Sequence, residues 1–167
     1  GNFFDNNDPN KDGKITREEW AENMKVLAGG ENRAVALKPG GKGEVAWAYT
    51  KHLPYVPSPL AYRDRLYFVK DGPLLTCLDA ATGKPVYEGE RVQAGPRYYT
   101  SPVAANGHLY LASLDGTVAV VVAGGDEPEV AHAVKLPEPV RATPAIAHDT
   151  LYVRSDKFLY AFGSKQK

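Results

Sequence analysis

Beyond residue 30 the chain is a succession of short apolar runs separated by Gly, Pro, Asp and Asn. Leu151, Tyr152, Val153 and Arg154 alternate as a half-buried strand does, whereas the run over 118–122 reads as a strand buried on both faces. The pattern repeats. Ser58-Pro59, Ser101-Pro102 and Thr143-Pro144 lie 43 and 42 residues apart, and Leu66-Tyr67, Leu109-Tyr110 and Leu151-Tyr152 keep the same two spacings. Each unit predicts a strand after the small-residue–Pro pair and a turn at Arg63-Asp64, Asn106-Gly107 or His148-Asp149. A Leu-Tyr strand follows, then a third strand over 74–78, 118–122 or 158–162, and the first two units add a fourth near 85–87 and 129–134. Upstream, residues 36–47 match 77–87 with Trp47 and Tyr87 40 apart, so they supply the third and fourth strands of an earlier unit. Four short strands about every 40–50 residues is the period of propeller blades. The expected fold is therefore mainly β: a partial β-propeller of about three to four four-stranded antiparallel blades over residues 31–167.

Residues 1–30 have a different pattern. Trp20, Met24 and Leu27 recur at helical spacing, Thr16 and Glu19 have the spacing of a capping box, and Gly29-Gly30 stops the helix. Just before it, Asp8, Asn10, Asp12, Gly13 and Glu19 fit the EF-hand calcium loop at every defined position. Calcium takes six to eight oxygen ligands in a flexible shell. Asp8, Asn10 and Asp12 offer side-chain oxygens, Lys14 its carbonyl, Thr16 a direct or water-mediated contact, and Glu19 a bidentate carboxylate. A small α-helical EF-hand segment over 1–30 is expected, with Phe4 as the aromatic of its entering helix. The plainer alternative is an Asp/Asn-rich turn capping a helix without metal. A single loop predicts a weak site, towards about 10⁻⁴–10⁻³ M.

Composition narrows the function classes. Twenty basic against 20 acidic side chains give no clustered positive charge for nucleic acid. The longest apolar run, Val118 to Ala123, is far too short to span a bilayer. The one cysteine, Cys77, leaves no internal disulfide or Cys-based zinc cluster and sits in an apolar strand as a buried thiol. His52, His108, His132 and His148 lack metal-site spacing and are read as loop histidines in or near turns. Ser58, Ser101 and Thr143 are repeat-equivalent, which points to strand starts rather than nucleophiles, and no nucleophile elbow surrounds them. Tyr55, Tyr98 and Tyr99 precede first strands and are read as inter-blade packing rather than a stacking platform.

Leu78-Asp79-Ala80-Ala81-Thr82-Gly83, with Trp47 at the docking position, resembles the quinoprotein-type propeller repeat. The layout is similar to bacterial proteins in which an EF-hand segment is inserted within one blade. The resemblance implies that Asp79, Thr82 and Gly83 make the turn between strands three and four and that Trp47 packs between blades. Tyr87 replaces the Trp in the second copy, and the third copy has lost it. It also raises a competing reading, a fragment of a pyrroloquinoline-quinone (PQQ) dehydrogenase. That family's vicinal disulfide, Trp floor and calcium-ligating Glu, Asn and Asp map nowhere on these residues. The expectation is therefore a non-catalytic scaffold without PQQ, binding calcium and a protein or small-molecule ligand in the periplasm or outside the cell. Blades that do not close a ring leave apolar faces open, with an exposed edge expected around Val118 to Val122 and self-association as the consequence.

Overall fold

A computed structural model describes residues 10–21, 30, 32–40 and 42–163. The chain divides into two compact units, Gly1–Asn32 and Arg33–Lys167. In the first, residues 17–21 are helical and start on the Thr16 cap, where the Trp20 N–H reaches the Thr16 carbonyl at 3.0 Å. Asp8, Phe4 and the Met24–Leu27 stretch of the expected EF-hand lie outside the described residues.

The second unit is four antiparallel sheets in chain order. The first pairs β1 (Ala34–Leu37) with β2 (Val45–Tyr49). The second is β3 (Leu60–Tyr62), β4 (Arg65–Lys70), β5 (Leu74–Asp79) and β6 (Pro85–Arg91), and the third is β7 (Val103–Ala105), β8 (His108–Ala112), β9 (Thr117–Val122) and β10 (Glu129–Lys135). The fourth holds β11 (Ala145–Ala147), β12 (Thr150–Arg154) and β13 (Leu159–Gly163). Each is a meander, strand next to strand, as tight turns dictate. Arg63 and Asp64, Asn106 and Gly107, and His148 and Asp149 all take positive φ, which gives hairpin turns the twist of their strands.

Register aligns the repeats physically. Tyr67 faces Cys77, which faces Tyr87; Tyr110 faces Val120, which faces His132; Ala36 faces Trp47. Three apolar layers result. Tyr49, Phe68 and Leu78 fill the layer holding Trp47, and Tyr67, Cys77, Tyr87, Leu109 and Val121 fill the next. Ala112, Val118, Val140, Leu151 and Val153 fill the third. Burial of each large side chain contributes about 1.5–3 kcal/mol, so the layers between sheets carry the fold.

Successive sheets are also tied by their strand starts. The Ser58 N–H donates to the Ser101 hydroxyl at 2.8 Å, and the Ser101 N–H donates to the Thr143 hydroxyl at 3.0 Å. This is what the repeated small hydroxyl residue does.

Two sequence-based expectations are corrected. The run Val118 to Val122 is not an edge: β9 lies between β8 and β10, and Val118 and Val121 are buried. Among the described residues, β13 is an open apolar edge, where Leu159 is 69% exposed. His108 and His132 are not loop residues but stand in β8 and β10; only His52 and His148 occupy bends or turns.

Candidate functional site

Asn10, Asp12, Lys14, Thr16 and Glu19 form a tightly bonded acidic loop. The Asn10 side-chain oxygen accepts the Asp12 N–H at 2.9 Å, and an Asp12 carboxylate oxygen accepts the Lys14 N–H at 2.8 Å. Both are Asx turns, which curl the backbone two residues at a time. Gly13, at φ 81°, supplies the left-handed step, and an added Cβ would meet no atom within 4 Å, so backbone conformation alone selects glycine. Glu19 Oε2 accepts both the Thr16 N–H and the Thr16 hydroxyl at 2.9 Å, and the Glu19 N–H donates back to that hydroxyl at 3.2 Å. That is a reciprocal capping box.

The donor set suits a hard cation, being all oxygen and arranged on a curl closed by a glycine. Among the described residues no group of three His, Cys, Asp or Glu side chains converges as a metal cluster. Asp8, the first ligand of the motif, is outside the described residues.

In the propeller unit the motif residues do structural work. The Trp47 indole N–H donates to the Ala80 carbonyl at 3.0 Å, and a Cβ on Gly83 would lie 2.5 Å from the indole ring. Asp79 accepts the Thr82 N–H at 2.8 Å and its hydroxyl at 2.7 Å, and these bonds hold the Asp79 carboxyl below the usual range. Tyr87, the second docking aromatic, is buried beside the Cys77 thiol, and its hydroxyl has no well-placed partner among the described residues. Burial raises the Cys77 thiol above its ordinary value, the state of an inert cysteine. Tyr98 is buried, with its N–H on the Asp71 carboxylate at 2.8 Å and its hydroxyl on the Ala94 carbonyl. Tyr55 and Tyr99 stay exposed and, with Pro54, Pro57 and Asp71, border a small hollow of about 80 Å³.

A larger opening was not legible as a site in the sequence. A cleft of about 340 Å³ lies between the third and fourth sheets, walled by Tyr110, Val120, His132, Ile146, Leu151 and Phe162.

Four-stranded antiparallel meanders, with Trp47 seated on the Asp79–Gly83 turn of the following sheet, define a β-propeller repeat protein of the quinoprotein type. A family model described as outer membrane protein assembly factor BamB matches residues 30–126, more than half of the chain, and the chain belongs to that family. BamB from Moraxella catarrhalis superposes with a TM-score of 0.62 at 18% identity, over 79% of this chain and 40% of that one. The computationally designed Ika4 protein superposes with a TM-score of 0.58 at 11% identity, over 72% of this chain and 73% of that one. A europium-containing methanol dehydrogenase gives 0.53 at 16% identity, over 80% of this chain and 25% of its own. At these identities the likeness is one of fold. The chain thus spans less than half the length of the Moraxella protein. No curated protein matches the sequence.

Proposed function

We propose that this chain is a non-catalytic part of an extracytoplasmic propeller scaffold, with one calcium loop built from Asp8, Asn10, Asp12, Lys14, Thr16 and Glu19. The observation that carries the calcium reading is the Asn10–Glu19 loop: consecutive Asx turns, Gly13 at φ 81° and a carboxylate closing on the first helical turn. Bound calcium would supply charge that gathers these oxygens, and so fix the helix start; it acts on no substrate. A scaffold role is supported by where the polar side chains of the propeller unit are spent. Asp79 closes a turn, Asp115 a hairpin, and Ser101 and Thr143 link sheets. The family's name, an outer membrane assembly factor, supports work outside the cytoplasm and recognition of protein partners.

The test is a calcium titration followed by Trp20 emission in a Trp47→Phe background, with terbium luminescence as a second readout. Saturation near about 10⁻⁴–10⁻³ M is expected, weakened at least about tenfold by Glu19→Gln. A flat response through several millimolar overturns the calcium reading. Dye reduction after addition of PQQ and calcium overturns the non-catalytic one.

A further inference from the structure

The three apolar layers are built from the same positions, and one of them is incompletely filled. On one wall of each stands a cross-strand row: Ala36–Trp47, then Tyr67–Cys77–Tyr87, then Tyr110–Val120–His132. On the opposite wall stands an apolar pair: Leu66–Leu78, then Leu109–Val121, then Leu151–Phe162. The fourth-strand position of the row is an aromatic in the first two layers. Trp47 lies on Gly83 and bonds the Ala80 carbonyl, while Tyr87 is 7% exposed and packed in its layer. In the third layer that position is His132, which is exposed. The pair facing it is opened as well: Leu109 and Val121 are both fully buried, whereas Phe162, the counterpart of Val121, is 38% exposed.

The substitution leaves a cleft of about 340 Å³ with mostly apolar walls, its polar groups being Asn106, His132, Asp149, Thr150 and the Tyr110 phenol. That is the size and character of sites that take a small apolar body with one or two polar atoms, about 300–1,000 Å³. The protein itself shows what shape fits, because its two other layers hold an indole and a phenol there. An imidazole is smaller than either and is strongly hydrated, so His132 leaves the layer short of an aromatic face.

We propose that this cleft is a binding site for the aromatic side chain, indole or phenol, of an extended peptide segment from a partner protein. The ring occupies the volume that Trp47 and Tyr87 occupy in the preceding layers, between the walls of Val120 and Leu151. A ring held this way is gripped on both faces, and its N–H or O–H is left near the rim where Asn106 and Asp149 stand. All of its lining residues belong to the second unit, so the proposal does not rest on the calcium reading.

The experiment uses the whole chain and N-acetyl-tryptophanamide, followed by two-dimensional NMR and calorimetry, with N-acetyl-leucinamide as the aliphatic control and a Trp-containing hexapeptide as the extended probe. Saturable shifts confined to the residues of the cleft are expected, with a Kd near about 1 mM for the amide. The hexapeptide should bind tighter and the leucine amide at least about tenfold weaker. His132→Trp should fill the cleft from within, abolish probe binding and raise the melting temperature. Ile146→Trp, which fills it from the opposite wall, provides the same loss of binding if His132→Trp does not fold. Absence of saturable shifts, equal binding of the leucine amide, or unchanged binding in both filled variants overturns the proposal. So do shifts at Tyr110, Val120 and His132, on the wall away from the β13 edge, on raising protein concentration without probe, since a second copy would then be the occupant.

Discussion

Gly83 is the residue on which the docking interaction turns. It sits at φ 69°, and the Trp47 ring covers the space where a side chain would begin. Gly83→Ala therefore meets two penalties, a left-handed backbone and a ring contact that real Cβ atoms never make. Destabilisation of about 2–4 kcal/mol is expected, read as a fall in the urea midpoint. In the Trp47→Ala background the steric part disappears, so the two changes should be non-additive, with a coupling of about 0.5–3 kcal/mol. Additive effects would mean that the indole does not rest on this glycine in solution. The role of Gly83 was readable from the Asp79–Gly83 motif, because the turn is specified within five consecutive residues, and that of Trp47 from the resemblance of the repeat, since the indole lies 36 residues upstream. His132 was not readable in the same way. Its rank in the sheet depends on the register shift between Val130 and His132 and on the longer turn after β9, which break the spacing that links Trp47 to Tyr87. Only pairing with Val120 shows that it stands where an aromatic stood before.

At the scale of strands and turns, the β8–β9 hairpin is locked by one carboxylate. Asp115 accepts from the Ser113 hydroxyl, the Thr117 N–H at 3.1 Å and the Lys135 ammonium of β10, so the hairpin turn, β9 and β10 meet at one side chain. Burial works against its charge, but Lys135, Ser113 and Thr117 outweigh it and hold the carboxyl well below the usual range. The folded state thus resists protonation more than the unfolded state does, and stability contributed by Asp115 is full above about pH 4 and lost as pH falls further. Asp115→Asn should lower stability at neutral pH and flatten the acid limb of a plot of urea midpoint against pH. An unchanged acid limb would show that other carboxylates dominate it. Strand existence was legible here because apolar runs and turn residues alternate at short range. Which strand lies at an edge was not: the most apolar run, β9, is central because β10, a strand with mostly exposed side chains, covers its far side.

For the molecule as a whole, the uncovered side of the fourth sheet matters most. β13 pairs only with β12 among the described residues, and Phe158, Leu159 and Phe162 stand exposed along it. Such an edge presents free backbone groups and apolar side chains together, a template for pairing with another strand. The isolated chain should therefore self-associate in light scattering, and Leu159→Lys should shift that association to higher concentration. A monomer in both proteins at high concentration would contradict the edge reading. The way the sheets are joined carries a different consequence. Each sheet hands the N–H of its first small residue to the hydroxyl of its successor, from Ser58 to Ser101 and from Ser101 to Thr143. Donor and acceptor belong to the same position of the repeat, so every unit brings the acceptor half of the preceding joint and the donor half of the next. A duplicated or deleted unit restores the joint without any compensating substitution, and a gene for such an array can change its length by whole units while every seam still closes.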